Sequence, residues 1–259
     1  MDDLDDHEGR FRNLRAWNVG VGLVHLAQGV VLLLISTSFA IPLVGSVPSG
    51  PPGTPITEQV TFFELNVPWA IAVFLFLAAA DHLLTAGPVR GWYERNLLRG
   101  VNVARWVEYS ISASIMIVLI AVLTGIDSLY ALIALFGVNA SMILFGLLME
   151  LFNRAGERVS WWPFVFGCIA GVVPWIAITL SLVTAQVEAP SGEGVPGFVF
   201  GIFVSLFVLF NCFALNQWLQ YRGVGRFADY LFGEKVYLVL SLGAKSALAW
   251  QIYAGTLGG

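Results

Sequence analysis

One lysine, Lys245, lies near the middle of the last apolar run of the sequence, at about residues 235–256. A charged lysine at the centre of a bilayer costs roughly 2.5–3.5 kcal/mol on insertion scales, so one that persists there usually has a function and a partner. A desolvated amine can attack an aldehyde, and the resulting imine needs a counter-ion when it is protonated. Lys245 is therefore the first candidate for covalent chemistry, although a lysine facing a wet cavity between helices gives the same pattern.

The acid that matches this lysine is Glu108, the one carboxylate that the sequence places well inside an apolar run and away from its ends. Glu108 lies about eight residues, and Lys245 about ten residues, from the cytoplasmic start of its predicted helix. At 1.5 Å per residue, the two side chains therefore lie at similar depths in the bilayer. Ser112 and Ser241 each lie one helical turn from a member of the pair and are expected to hydrogen-bond it. A structural ion pair that fixes helix register is the alternative.

A series of aromatic residues indicates an elongated apolar ligand between the helices. The series comprises Trp175, Phe203, Phe207, Phe210 and Trp250. The same spacing is common in an ordinary helix core, so the aromatic residues alone do not separate the two interpretations. Five further side chains are compatible with a position facing the pocket: Asn102, Tyr109, Asn139, Ser141 and Met142.

Seven apolar runs of membrane-spanning length must position these residues. Hydrophobic residues make up 58% of the sequence and charged residues 12%, which is typical of a membrane protein. We predict an all-α fold, a single seven-helix transmembrane domain over residues 1–259 with a tail at 1–15. The predicted helices cover about 16–38, 66–87, 100–124, 128–150, 162–186, 196–220 and 235–256.

Basic residues predict the orientation of the bundle, because cytoplasmic connections retain Lys and Arg. All 13 of them except Lys245 fall before the first helix or around the second, fourth and sixth connections. The N-terminus is therefore predicted to be cytoplasmic and the C-terminus external. The first external connection, 39–65, is rich in Pro, Gly and Ser before a β-branched and aromatic stretch. This pattern is compatible with a short β-hairpin and equally with an irregular loop.

Several function classes are disfavoured by composition. The net charge is −4 and no run of basic residues exists, so nucleic acid is not an expected partner. Cys168 and Cys212 lie in apolar runs and suggest neither a disulfide nor a metal site. Of the three histidines, His7 lies in the predicted tail, which leaves too few for the metal cluster of a membrane hydrolase. No internal repeat of the kind found in secondary transporters is visible.

The motifs around the candidate pair resemble those of the heliorhodopsins, retinal proteins with inverted membrane orientation. The seventh run reads Ser241-Leu-Gly-Ala-Lys245-Ser-Ala-Leu-Ala-Trp250, and the third reads Arg105-Trp-Val-Glu108-Tyr-Ser-Ile-Ser112. The resemblance covers all seven helices and extends to Val24-His25-Leu-Ala-Gln28, Asp81-His82-Leu and Phe210-Asn-Cys-Phe-Ala-Leu-Asn-Gln217.

The resemblance implies that Lys245 carries all-trans retinal as a protonated Schiff base and that Glu108 is its counter-ion. It also implies a homodimer in the lipid bilayer, a slow photocycle and a light-sensing output through an unidentified cytoplasmic signalling partner. We expect no enzymatic activity and no ion pumping. The cofactor-binding residues expected are Lys245, Glu108, Ser112, Ser241, Tyr109, Asn139, Met142, Trp175, Phe207 and Phe210. A polar cluster for proton movement is expected from His25, Gln28, His82 and Asn102.

A light-driven ion or proton transporter or channel of the microbial rhodopsin type is the alternative function. Ion-pumping relatives hold aspartate four positions before the lysine, where this sequence has Ser241. Leu97 and Leu119 stand eleven residues either side of Glu108, where such pumps place a second carboxylate. These residues disfavour pumping, although histidines also move protons. A membrane enzyme or transporter that binds an apolar ligand without a chromophore is a second alternative.

Overall fold

The predicted all-α fold of seven long helices is confirmed. A computed structural model describes residues 2–54, 58–153, 158–189 and 194–258, with side chains from residue 8 onward, so residues 55–57 of the first connection and the side chain of His7 lie outside the described part. The helices are α1 (Asp2–Ile35), α2 (Val67–Ala86), α3 (Arg90–Leu97), α4 (Val103–Leu123), α5 (Leu129–Phe152), α6 (Trp162–Glu188), α7 (Gly197–Arg222) and α8 (Tyr230–Ile252). A 3-10 turn, Gly225–Ala228, precedes α8, and a π-helical turn, Tyr253–Leu257, follows it.

The long helices form one antiparallel bundle, and the short α3 lies in the second connection. α1 packs on α2, α2 on α4, α4 on α5, α5 on α6, α7 on α8, and α8 returns to α1. Six of these helices are long and apolar enough to cross a bilayer. α8 has 23 residues, which is also sufficient length. The chain is thus a multi-pass membrane protein, and we call the end of the bundle where α1 begins the N-terminal face.

A two-stranded hairpin covers the opposite end of the bundle. β1 (Ala40–Val47) pairs antiparallel with β2 (Glu58–Asn66), so the β-hairpin, rather than the irregular loop, is the correct interpretation. The amide of Val44 donates to the carbonyl of Asp127 before α5, at 3.0 Å, which ties the hairpin to the bundle. Asn66 then caps α2 by accepting a hydrogen bond from the amide of Trp69 at 3.1 Å.

α1 begins much earlier than its apolar run. It starts at Asp2 rather than near residue 16, so the predicted tail is the first part of a helix. Phe11 and Leu14 pack into an apolar cluster with Tyr93 and Leu97 of α3. This burial stabilises helical turns that composition alone suggests are solvated, because packing of an apolar face supplies most helical stability in proteins.

α8 also begins earlier than expected, at Tyr230 rather than near residue 235. Asp229 caps this helix, since its carboxylate accepts a hydrogen bond from the amide of Leu231 at 3.0 Å. Arg10 of α1 pairs with the same carboxylate. The first turns of α1 and α8 are thereby held together at the N-terminal face.

Candidate functional site

The structure brings Lys245 and Glu108 together inside the bundle. Both side chains are buried, and Lys245 Nζ donates to Glu108 Oε2 at 3.3 Å and to Ser241 Oγ at 2.9 Å. The ammonium also lies 4.7 Å from the centroid of the Tyr109 ring, a favourable cation–π position. The amine is therefore held by one acid, one hydroxyl and one aromatic face, contributed by α4 and α8.

Polar groups beside this pair have unused hydrogen-bonding capacity. Among the described residues, Glu108 Oε1 and Ser112 Oγ have no hydrogen-bond partner, although both are buried. Of the two serines expected to hold the pair, only Ser241 does so. Asn139 donates instead to Ser114 Oγ at 3.0 Å, between α5 and α4. A carboxylate oxygen accepts up to two hydrogen bonds, so Glu108 can still accept donors at Oε1.

The two membrane histidines stack on each other between α1 and α2. The ring centroids of His25 and His82 are 5.9 Å apart, with 12° between the ring planes. His82 Nδ1 lies 3.0 Å from Asn18 Oδ1 and 3.8 Å from the carboxylate of Asp81. Within the described part of the chain, neither nitrogen of His25, nor Nε2 of His82, nor Oε1 of Gln28 has a partner. These buried imidazoles have free positions for a proton.

Asn102 does not hydrogen-bond these histidines and belongs to a second charged group. It caps α4, its amide donates to Glu150 at 2.8 Å, and its side chain donates to Glu234 at 2.6 Å. Arg105 pairs with both carboxylates. We call Asn102, Arg105, Glu150 and Glu234 the Arg105 cluster. It joins α4, α5 and α8 near the N-terminal face.

Sequence reasoning missed the two acids of this cluster. Glu150 lies in the last turns of α5 and Glu234 in the first turns of α8, where charged residues ordinarily face lipid headgroups. The available signal was Arg105, because a cation within an apolar run ordinarily pairs with an acid. Among the described residues, no group of three or more His, Cys, Asp or Glu side chains is arranged to hold a metal ion.

A cavity of about 350 Å³ extends from Lys245 between α4, α5, α6, α7 and α8. This volume lies within the range of small-molecule sites, which are mostly apolar with a few placed polar groups. The cavity has that character, since aromatic, aliphatic and methionine side chains form most of its wall. The predicted site residues that line it are Tyr109, Met142, Trp175, Phe207, Phe210, Ser241 and Lys245.

Five residues predicted to face the pocket do not line the cavity: Asn102 and Asn139, whose contacts are given above, and Phe203, Trp250 and Ser141. Glu108 and Ser112, also expected at the cofactor, are not part of its wall either. Phe203 packs its ring against the edge of Trp175, with centroids 5.8 Å apart. Trp250 is 38% exposed at the bundle surface, beside Tyr253. Ser141 is exposed and bonds to a backbone carbonyl of its own helix. Helical spacing groups residues on one face, but the rotation of that face is set by tertiary packing.

Other lining residues were not singled out from the sequence. They include Trp106, Phe164, Cys168, Asn211, Phe213 and Gln217. Cys168 on α6 and Asn211 on α7 are also exposed at the surface of the bundle, so the cavity opens between these two helices. Gly171 allows α6 to lie close to α5, because a Cβ there would stand 3.1 Å from Cγ of Met142.

A comparison with models of protein families gives a match over residues 14–257 to the family described as Heliorhodopsin. The chain belongs to the heliorhodopsin family. The resemblance that the sequence motifs indicated is confirmed, and membership of this rhodopsin family implies a retinal chromophore. No curated protein matches the sequence of this heliorhodopsin.

Solved structures show that this heliorhodopsin shares the fold of microbial rhodopsins. The transmembrane domain of Salpingoeca rosetta rhodopsin phosphodiesterase has a TM-score of 0.67 at 12% identity, covering 98% of this chain and 88% of that one. The light-driven proton pump LR (Mac) from Leptosphaeria maculans has a TM-score of 0.63 at 14% identity, covering 95% of each chain. The red light-activated channelrhodopsin Chrimson has a TM-score of 0.59 at 14% identity, covering 92% and 77%. These neighbours differ in function, so the likeness concerns the fold alone.

Proposed function

We propose that this heliorhodopsin is a light-sensing receptor in which all-trans retinal is bound to Lys245 as a protonated Schiff base, with Glu108 as its counter-ion. The observation that carries the proposal is the position of one amine. Lys245 Nζ lies 3.3 Å from a buried carboxylate, and the same side chain forms part of the wall of an apolar cavity. Bound retinal would supply the absorption of visible light and a light-driven isomerisation.

The residues of the cavity fit an elongated apolar molecule anchored at one end. The Trp175 ring meets the rings of Phe207 and Phe210 edge-on, at centroid distances of 5.2 and 5.7 Å, which makes a rigid aromatic wall. The side-chain nitrogen of Gln217 already donates to a backbone carbonyl of α5 at 3.0 Å. Lys245 is the one amine among the residues that line the cavity, so it is the side chain there that can form an imine with an aldehyde.

The side chains around Lys245 would stabilise a protonated imine formed at its nitrogen. A buried positive charge is favoured by a nearby carboxylate, and Glu108 supplies one in a place shielded from water. Ser241 fixes the direction of the amine by accepting its hydrogen bond, and the face of Tyr109 adds electrostatic attraction. Together they provide electrostatic attraction for the positive end of a bound chromophore.

We also propose that His25 and His82 hold a proton during the photocycle. Their stacked rings are buried, and free ring nitrogens remain on both. Imidazole changes its charge close to neutral pH in water, so these side chains suit a proton acceptor better than the surrounding aliphatic residues do. Placing two positive charges at 5.9 Å in a buried site is costly, so the stacked pair takes up one proton rather than two.

We propose a signalling output rather than ion pumping, with the N-terminal face in the cytoplasm. Basic residues concentrated at that face support the orientation. Ser241, where pumping relatives have aspartate, and the buried Leu119 support the absence of pumping. Leu97 no longer contributes to this argument, because it lies on α3 and not on the helix of Glu108.

A homodimer is also part of the proposal. The hairpin carries Val60, Phe62 and Phe63 about half exposed beyond the helices. Exposed apolar side chains on a strand outside the helices are candidates for a protein contact, and a second copy of the chain would cover them. Replacing Phe62 and Phe63 with serine should shift the protein from dimer to monomer in multi-angle light scattering, with the visible band retained. An unchanged mass would contradict a dimer through the hairpin.

The decisive experiment uses the two lysines of the sequence, Lys235 and Lys245. Lys245→Ala, purified after addition of retinal, should show no visible absorption band, because no other amine lies at the cavity. Lys235→Ala is the matched control on the same helix and should keep the band. A full-strength band in Lys245→Ala would refute the covalent site.

A second measurement separates sensing from transport. Cells that express the protein with retinal are illuminated while external pH and membrane current are recorded. A silent trace combined with a visible photocycle supports the sensor. A light-dependent current would favour the transport alternative.

A further inference from the structure

The Arg105 cluster lies outside the retinal site, and we propose that it is a charge lock whose state depends on the contents of the cavity. The lock holds α4, α5 and α8 together at the N-terminal face, and the rings of Trp106 and Tyr237 connect it to the cavity. This inference rests on the proposed function, since light is what changes the shape of the molecule in the cavity.

The two acids of the lock are fully paired, and all four of its residues are buried. Arg105 donates to one oxygen of Glu150 and one oxygen of Glu234, and Asn102 donates to the other oxygen of each. Each of the four carboxylate oxygens therefore accepts at least one hydrogen bond. A single guanidinium thus ties three helices, and the loss of one of its pairs would leave a buried charge without its partner.

Two aromatic rings separate this guanidinium from the cavity. Its central carbon lies 3.8 Å from the centroid of the Tyr237 ring and 4.5 Å from that of Trp106. The two rings meet edge to face at 5.8 Å. Trp106 forms part of the cavity wall, and Tyr109, another wall residue, donates its hydroxyl to the backbone carbonyl of Tyr237 at 3.1 Å. One layer of side chains therefore transmits a displacement in the cavity to Arg105.

The charges of the lock allow a second arrangement. Two carboxylates share one guanidinium, so Arg105 keeps an ionic partner when it loses either of them. Within the described residues, Arg105 Nε has no hydrogen-bond partner and is a spare donor for such a change. Displacing Tyr237 removes an aromatic face from the guanidinium and weakens its hold on the acids. The ends of α4, α5 and α8 then separate at the face where the connections are exposed.

The test measures the distance between two spin labels at this face. Leu98, before α4, and Phe152, at the end of α5, are 66% and 63% exposed and accept labels as cysteines. Cys168 and Cys212 are first replaced by alanine. Double electron–electron resonance in the dark and under illumination should show a light-dependent shift of the Leu98–Phe152 distance.

Two substitutions at one position test the coupling. Tyr237→Phe keeps the ring and removes a hydroxyl that has no partner among the described residues, so the light-dependent shift should remain. Tyr237→Leu removes the ring, and the shift should be lost while the visible band persists. A shift of full size in Tyr237→Leu would overturn the coupling through this ring.

A third variant keeps the test decisive if Tyr237→Leu does not fold. Glu234→Gln weakens the pair between Arg105 and Glu234. The distribution of label distances should therefore already be broadened in the dark, and light should add no further shift. A dark distribution identical to that of the unsubstituted protein would overturn the lock.

The outcomes distinguish this inference from the proposed function. A normal visible band and photocycle without any shift of the label distance overturns the lock alone and leaves the retinal site standing. Absence of a visible band in the unsubstituted protein overturns the proposed function, and the inference fails with it.

Discussion

Two buried charged groups in this bundle differ in how many of their carboxylate oxygens accept hydrogen bonds. Lys245 and Glu108 form a simple pair at 3.3 Å, and the second oxygen of the acid has no partner among the described residues. In the Arg105 cluster, by contrast, every oxygen of Glu150 and Glu234 accepts a hydrogen bond. The first group lines an apolar cavity, whereas the second closes the N-terminal face.

The difference separates the proposed retinal site from a cluster that connects helices. A buried polar group without a partner costs about 1–3 kcal/mol, so the two such oxygens beside the pair, on Glu108 and Ser112, suit a place where a ligand, water or a proton uses them. Paired carboxylates give the opposite result, because they hold the helices together until one of the pairs is broken. Unused hydrogen-bonding capacity next to a cavity therefore distinguishes the proposed retinal site from the Arg105 cluster.

The largest loss of stability should come from removing the cation of the Arg105 cluster. Arg105→Met leaves two carboxylates buried without their partner, which costs about 3–5 kcal/mol. Folded yield and the unfolding temperature in detergent should fall strongly. Lys245→Met leaves one acid that a proton can neutralise, so its loss of stability should be smaller. Equal or greater destabilisation by Lys245→Met would contradict the contrast between the two groups.

The next effect concerns the colour of the pigment. Glu108→Gln removes the negative charge beside Lys245, so the imine should lose its proton near neutral pH and the visible band should disappear or depend on added anions. Glu150→Gln neutralises an acid of the other group and should keep the band. An absorption titration of both variants checks this, and an unaltered band and titration in Glu108→Gln would exclude it as the counter-ion.

A kinetic effect is expected at the histidines. His25→Phe keeps an aromatic ring against His82 but removes both nitrogens, and a positioned proton carrier contributes about 10²-fold or more to a rate. Late photointermediates followed by flash photolysis should change their lifetimes on that scale. His82→Phe should act in the same direction. Unchanged lifetimes in both variants would return these residues to a packing role.

The smallest effect should arise at the exposed pair of Arg10 and Asp229. Both side chains are partly exposed, and such surface pairs contribute about 0–1 kcal/mol. Arg10→Ala should therefore lower the unfolding temperature only slightly, and the difference should vanish in high salt. A loss comparable to that of Arg105→Met would show that α1 is a main support of the N-terminal face.

The sequence predicts how deep a side chain lies along its helix. It does not predict in which direction the side chain points around the helix axis. Lys245 and Glu108 meet because both lie deep in apolar runs, and Ser241 follows by its fixed one-turn spacing. Glu150 and Glu234 were missed because, near helix ends, an acid facing headgroups and an acid facing a buried guanidinium have the same pattern. Phe203 was misplaced for a similar reason, since packing against α8 sets the rotation of α7.

The ends of secondary structure depend on contacts far away in sequence. The first turns of α1 carry many charges, and their helical state is stabilised by Phe11 and Leu14 against α3. The hairpin of the first connection was one of two interpretations, and its tie from Val44 to the carbonyl of Asp127 distinguishes it from a loop only in three dimensions. Composition identified the segments, and tertiary packing determined their form.

The opening of the cavity between α6 and α7 has a mechanical consequence. α6 packs mainly on α5 and α7 mainly on α8, so the ring of helices has a seam there. Aromatic side chains bridge the seam, with Trp175 of α6 against Phe207 and Phe210 of α7. A seam bridged by rings widens through rotation of a few side chains, without shearing any tightly packed backbone. Because Trp175 also forms part of the cavity wall, the width of the seam and the shape of the cavity are set by the same side chains.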